Sequence, residues 1–104
     1  MTLTAALSDE DLARQASGGD KDAFGVLYER HHRGVYDLVI RMVREHELAV
    51  DVVQNSFLSA WVNLQKRTVT GNVKAWLYTI ARNSAISELR RGKRTVGAVT
   101  ITGA

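Results

Sequence analysis

None of the 104 residues is proline, and nothing else in the chain constrains its fold as strongly. Proline is the strongest helix breaker, so helical periodicity can run unbroken between the few glycine-marked turns. Gly18-Gly19-Asp20 and Gly71-Asn72 mark two breaks, and Gly92 and Gly97 open a third. Between them the spacing predicts four helices and an all-α fold. The first covers about residues 9–17, with Ser8 as N-cap and Asp11 placed three residues on, close to a capping box. The second starts at an Asp20 cap and runs to about Arg44, with Phe24, Leu27, Tyr28, Val35, Leu38, Val39 and Met42 at three-and-four spacing. Gly34 interrupts it, which costs up to about 1 kcal/mol relative to alanine but permits a neighbour to pack closely. The third covers about residues 45–65 on a stripe of Ala49, Val53, Phe57, Ala60, Trp61 and Leu64. The fourth follows an Asn72 cap to about Arg91, with Val73, Leu77, Ile80, Ala81, Ser84 and Ala85 on one side. Residues 1–94 then form one compact four-helix domain. The uncharged stretch 95–104 carries no helical pattern and is expected to be a flexible tail or the start of an interdomain linker.

Composition narrows the function classes. At 45% apolar and 24% charged residues the chain fits an ordinary globular domain, and its length suffices for one core. There is no cysteine, hence no disulfide frame and no thiolate metal site. No run approaches the roughly 20 apolar residues of a membrane span. The N-terminus lacks the basic and apolar regions of a secretory signal. A soluble, cytoplasmic protein without membrane contact is expected. The charge is unevenly placed. Residues 1–20 carry Asp9, Glu10, Asp11 and Asp20 against Arg14, a net −3, whereas residues 65–94 carry eight Lys and Arg against Glu88, a net +7. A basic far end points to a polyanion. A solvated helix face would give the same count with no ligand.

Two surfaces have no place in the core. On the fourth helix Trp76, Thr79, Asn83, Ser87 and Arg90 share a face turned away from Leu77 and Ala81. Trp76 can stack on a base or wedge into a base step, and Asn83 can bond a base edge. Thr79 and Ser87 can reach phosphates or bases, while Arg82, Arg90 and Arg91 can neutralise backbone charge. Taken alone, Trp76 also fits a half-buried core residue. The basic, hydroxyl-rich loop before this helix, with Lys66, Arg67, Thr68 and Asn72, suits an unpaired base or strand. It equally fits a plain connector. On the third helix Asp51, Gln54, Asn55 and Leu58 lie at i, i+3, i+4 and i+7 opposite the core stripe, and Leu58 on that polar face points to a protein partner.

The segment from Trp76 to Arg91, WLYTIARNSAISELRR, resembles the pattern W-L-x-x-I-A-R-N-x-A-I-D-x-L-R-R of region 2 of the extracytoplasmic-function (ECF) sigma factors. Asp51 to Trp61, DVVQNSFLSAW, is similar to that family's D-x-x-Q-x-x-F-x-x-A-[WY]. Gly19 to Tyr28 matches its G-D-x-x-A-F-x-x-L-Y opening. Three motifs in order cover about residues 9–94. The resemblance implies a four-helix sigma region 2 domain that docks on RNA polymerase and recognises and melts the promoter −10 element. Asp51, Gln54, Asn55 and Leu58 would meet the clamp coiled coil of the largest polymerase subunit. The fourth helix and the 66–72 loop would hold flipped bases of the non-template strand, with Trp76 as wedge and Asn83 as base reader. Extruding a base costs a few kcal/mol, which such contacts must offset.

The chain departs from the family at several positions. Val50 and Asn55 stand where acidic residues are common, weakening charge pairing with a basic coiled coil. Ser87 replaces a frequent aspartate, and Leu64-Gln65 stand where an aromatic residue often opens the loop. The family's second domain, which reads the −35 element, has no counterpart in these residues, as in a piece of a longer protein or a natural short one. An alternative reading makes the domain an interaction module held by an anti-sigma factor. A helix-turn-helix repressor fits poorly, since the connection after the third helix is too long for its tight turn. An enzyme is not expected. His31, His32 and His46 lack metal spacing, adjacent His31 and His32 point to different helix faces, no phosphate-cradling glycine loop is present, and no cofactor is implied.

Overall fold

Each helix begins where a polar side chain can take a backbone N–H that the first turn leaves unpaired. The computed structural model describes residues 6–67 and 69–103, with side chains described as far as residue 92. Helix α1 spans Asp9–Ser17, and the Asp11 N–H donates to Ser8 Oγ. The Ser8 hydroxyl, helped by Arg14, holds the Asp11 carboxyl below its ordinary value. Helix α2 spans Lys21–Val43 behind an Asp20 cap that accepts from the Ala23 N–H. Helix α3 spans His46–Lys66 behind a Glu45 cap. Helix α4 spans Val73–Gly103, and the Ala75 N–H donates to Asn72 Oδ1 at 2.9 Å. All three caps named from the sequence hold. The end of α4 does not: the helix passes the expected stop near Arg91 and continues to Gly103. Nothing after Arg91 breaks it, since no proline follows and glycine weakens a helix without ending one. There is no strand among the described residues.

The core is built on a four-residue rhythm. Along α2 the buried positions are Ala23, Leu27, His31, Val35 and Val39, while Phe24, Tyr28, Leu38 and Met42 flank them half-buried. Leu12, Ala13 and Ala16 of α1 are fully buried. Helix α3 contributes Ala49, Val52, Val53, Phe57, Ala60 and Leu64, and α4 contributes Val73, Leu77, Ala81 and Ala85. An aromatic seam joins α2 to α3. Phe24 meets Trp61 edge-on at 5.4 Å, and Tyr28 meets Phe57 likewise at 4.9 Å. Such edge-to-face pairs add about 0.5–1.5 kcal/mol beyond their buried area.

Polar contacts fix α1 to its neighbours. One carboxylate oxygen of Asp9 accepts from Arg30 Nη1 at 3.0 Å, and the other bonds His31 Nε2 at 2.8 Å. A buried polar ring at a core position of α2 is tolerable only because this partner satisfies it. At the other end of α1, Gln65 Nε2 donates to the Ala16 carbonyl at 2.8 Å. Gly34 does admit a close neighbour. A Cβ there would lie 1.9 Å from the Tyr78 hydroxyl oxygen, so this glycine sets how nearly α4 approaches α2.

Candidate nucleic-acid interface

The α3–α4 connection is built from both ends. Arg67 leaves α3 in an extended conformation, its N–H still donating to the Asn63 carbonyl at 3.1 Å. Val69 packs half-buried against the core. Gly71 then turns the chain at φ 88°, a conformation that favours glycine. Lys66 and Arg67 are exposed, and Thr68 lies outside the described residues. Asn72 is exposed, but its carboxamide oxygen is engaged as the α4 cap, leaving the NH2 group to reach outward.

Along α4 the expected stripe is present. Trp76 is half-buried and packs against the core, so one part of its ring system is anchored. Thr79, Asn83, Ser87 and Arg90 are exposed. The Thr79 hydroxyl donates to the Ala75 carbonyl at 2.9 Å, so Thr79 can meet a ligand only as an acceptor or through its methyl. Arg91 is exposed and paired with Glu88. Arg82 is exposed but turned about 100° from Asn83, outside the stripe. Lys74 was not singled out by the sequence pattern; its Nζ lies 5.7 Å from the centre of the Tyr78 ring.

On α3, Asp51, Gln54, Asn55 and Leu58 are all exposed, with Leu58 at 63%. Val62, one turn beyond Leu58, is 49% exposed and extends the same ridge. Periodicity alone could have found it, because 58 and 62 are four apart. The ridge divides two grooves. Gln54 and Leu58 border a largely apolar one of about 460 Å³ against α2, lined also by Phe24, Tyr28, Phe57 and Trp61. Asn55 lies on the other side, in a groove of about 370 Å³ against α4 where Asn83, Ser87 and Arg91 form the facing wall. Of the four residues expected to dock one partner, Gln54 and Leu58 face one groove, Asn55 faces the other, and Asp51 lines neither. The histidines have separate partners: His31 bonds Asp9, His32 stacks on Tyr28 at 4.7 Å, and His46 Nδ1 meets the Tyr36 hydroxyl at 2.7 Å.

This four-helix fold recurs in known proteins. Residues 27–95 match the family described as sigma-70 region 2. The chain belongs to the sigma-70 region 2 family. This region 2 is 32% identical over 80 residues to the ECF RNA polymerase sigma factor SigW of Bacillus subtilis, covering 77% of this chain and 43% of the relative. It is 35% identical over 86 residues to SigM of Mycobacterium tuberculosis, covering 83% and 44%. With the ECF RNA polymerase sigma-E factor of Haemophilus influenzae it shares 35% over 89 residues, covering 85% and 47%. The chain thus spans under half the length of these curated relatives. Its fold superposes with a TM-score of 0.78 on an engineered region 2 of sigmaE, solved by NMR in complex with GTAAAA. That protein is 34% identical, and the match covers 86% of this chain and 93% of the other. Sigma factors are transcription initiation factors. No helix among the described residues is long and apolar enough to cross a membrane.

Proposed function

We propose that this region 2 docks on RNA polymerase and recognises and melts the promoter −10 element during transcription initiation. The observation that carries the proposal is its likeness, in fold and at 34% identity, to a sigmaE region 2 held in complex with GTAAAA. The half-buried Trp76 and the exposed Thr79, Asn83, Ser87 and Arg90 of the stripe support contact with the non-template strand. Trp76, anchored against the core on one side, suits a wedge that must not yield when a base step opens. Asn83 offers an unengaged carboxamide for a base edge. Lys66 and Arg67, with Thr68, Asn72, Arg82 and Arg91 around them, supply charge and hydrogen-bonding groups for the backbone or an extruded base. Leu58 and Val62 on the α3 ridge, with Asp51 and Gln54 beside them, support docking on the clamp coiled coil of the largest polymerase subunit. An apolar residue on a helix ridge is what a facing helix would cover. An anti-sigma factor covering the same ridge would hold the domain inactive.

Binding competition tests the DNA half. Asn83→Ala should change base preference within a −10 oligonucleotide while the fold, followed by circular dichroism, stays intact. Trp76→Ala should impair promoter opening by the polymerase holoenzyme yet leave polymerase binding in place. Unaltered base preference would remove Asn83 as a reader, and loss of polymerase binding with Trp76→Ala would make that residue structural.

A further inference from the structure

Helix α1 reaches both ends of the connection that leads into the α4 stripe. At the start of the connection Gln65 Nε2, in the last turn of α3, donates to the Ala16 carbonyl at 2.8 Å. That carbonyl lies in the last turn of α1, where helical carbonyls lack an intrahelical partner. At the far end the Val73 N–H, the first of α4, donates to Glu10 Oε2 at 3.5 Å. The bond is long, but a carboxylate at a helix N-terminus also gains from the helix dipole. Asn72 takes the Ala75 N–H of the same turn. Helix α4 therefore starts on two side chains, one local and one from α1.

Helix α1 is a firm base for these ties. Leu12, Ala13 and Ala16 are fully buried, and Asp9 holds α2 through Arg30 and His31. Asp9 and Glu10 are neighbours that reach different helices, so one turn of α1 links α2 to α4. The anchor positions 10 and 16 lie about 9 Å apart along a helix axis. The chain from Gln65 to Val73 could span roughly 26–29 Å if extended. Its ends are thus held well short of its reach, with Val69 packed against the core between them. Lys66, Arg67, Thr70 and Asn72 are left exposed.

We infer that Glu10 and Gln65 are positioning residues for base recognition. Through them α1 braces the two ends of the α3–α4 connection, and with them the first turn of α4 that carries Trp76. The inference rests on the −10 DNA reading above. Its physical basis is pre-organisation, because a segment fixed before binding loses less freedom when the strand arrives. Phosphate contacts carry no sequence information, whereas base contacts depend on exact placement. Releasing the brace should therefore cost discrimination between sequences.

Fluorescence anisotropy with the full chain tests this, comparing single-stranded GTAAAA with a hexamer of the same bases in scrambled order. Glu10→Ala and Gln65→Ala should each cut the affinity ratio about two- to tenfold, the worth of one hydrogen bond. Glu10→Gln keeps an oxygen for the Val73 N–H and should hold the ratio of the unmodified chain. Hydrogen exchange at the Val73 amide should quicken in Glu10→Ala, while binding to the isolated clamp coiled coil stays unchanged. An unchanged ratio in both alanine variants would overturn the inference. So would an equal gain for both hexamers in Glu10→Ala and Glu10→Gln, which would make Glu10 only a charge that repels the strand. Failure of the unmodified chain to prefer GTAAAA would instead remove the DNA reading itself, and this inference with it.

Discussion

Gly34 and Tyr78 show how a single position sets an interhelical distance. A methyl at Gly34 would lie 1.9 Å from the Tyr78 hydroxyl oxygen and 3.2 Å from the ring carbon that bears it. Alanine should improve helix propensity by up to about 1 kcal/mol, but overpacking costs about 1–3 kcal/mol, and the clash should win. Gly34→Ala is expected to lower stability in urea titration, and Tyr78→Phe, which removes the clashing oxygen, should restore most of the loss. An equal loss in both backgrounds would show that the hydroxyl is not the obstacle. That Gly34 permits a close neighbour was legible in the sequence. Its identity was not, because residues 34 and 78 are joined only by tertiary packing. His31 makes the same point. It is buried in the α2 rhythm between Leu27 and Val35, and the Asp9 carboxylate that makes this burial tolerable comes from another helix, out of reach of periodicity.

At the scale of elements, helix starts were legible because capping is local: Ser8, Asp20 and Asn72 each bond an N–H three residues ahead. Helix ends were harder. Helix α2 stops at Arg44, which adopts the left-handed conformation at φ 61° without being glycine. A non-glycine residue there costs roughly 1–2 kcal/mol, offset in part by the chain entropy that glycine would lose. Arg44→Gly should therefore raise stability by about 0.5–1 kcal/mol, seen as a higher melting temperature. A lower melting temperature would show that the arginine makes a contact outweighing its backbone strain. The run of α4 to Gly103 escapes periodicity because a glycine-bearing stretch that is uncharged from Thr95 on gives no amphipathic signal, while a helix already under way can extend through it. Faces were read more reliably than ends. The α4 stripe and α3 ridge both appeared where 100° per residue put them, but periodicity could not say that Asn55 and Leu58 border different grooves.

For the molecule as a whole, residues 65–94 carry a net +7 and Arg90 of that run is exposed on the α4 stripe, so DNA affinity should fall steeply with salt. For a single strand the slope of log K against log salt is about −0.7 per phosphate contacted. Replacing Arg90 with alanine should make that slope shallower by about 0.7. An unchanged slope would mean that Arg90 does not meet a phosphate. The family was legible because its three motifs combine buried packing positions, such as Ala23, Leu27, Phe57, Ala60, Leu77 and Ala81, with exposed polar ones, such as Gln54 and Asn83. The central claim is that DNA and polymerase are held by separate surfaces, α4 for one and the Leu58 ridge of α3 for the other. The most direct test is a pull-down against the isolated polymerase clamp coiled coil, comparing the unmodified chain with Gln54→Ala, Leu58→Ala and Asn83→Ala. Binding should persist in Asn83→Ala and fall in the two α3 variants. No binding by the unmodified chain, or equal binding by all four proteins, would contradict the claim.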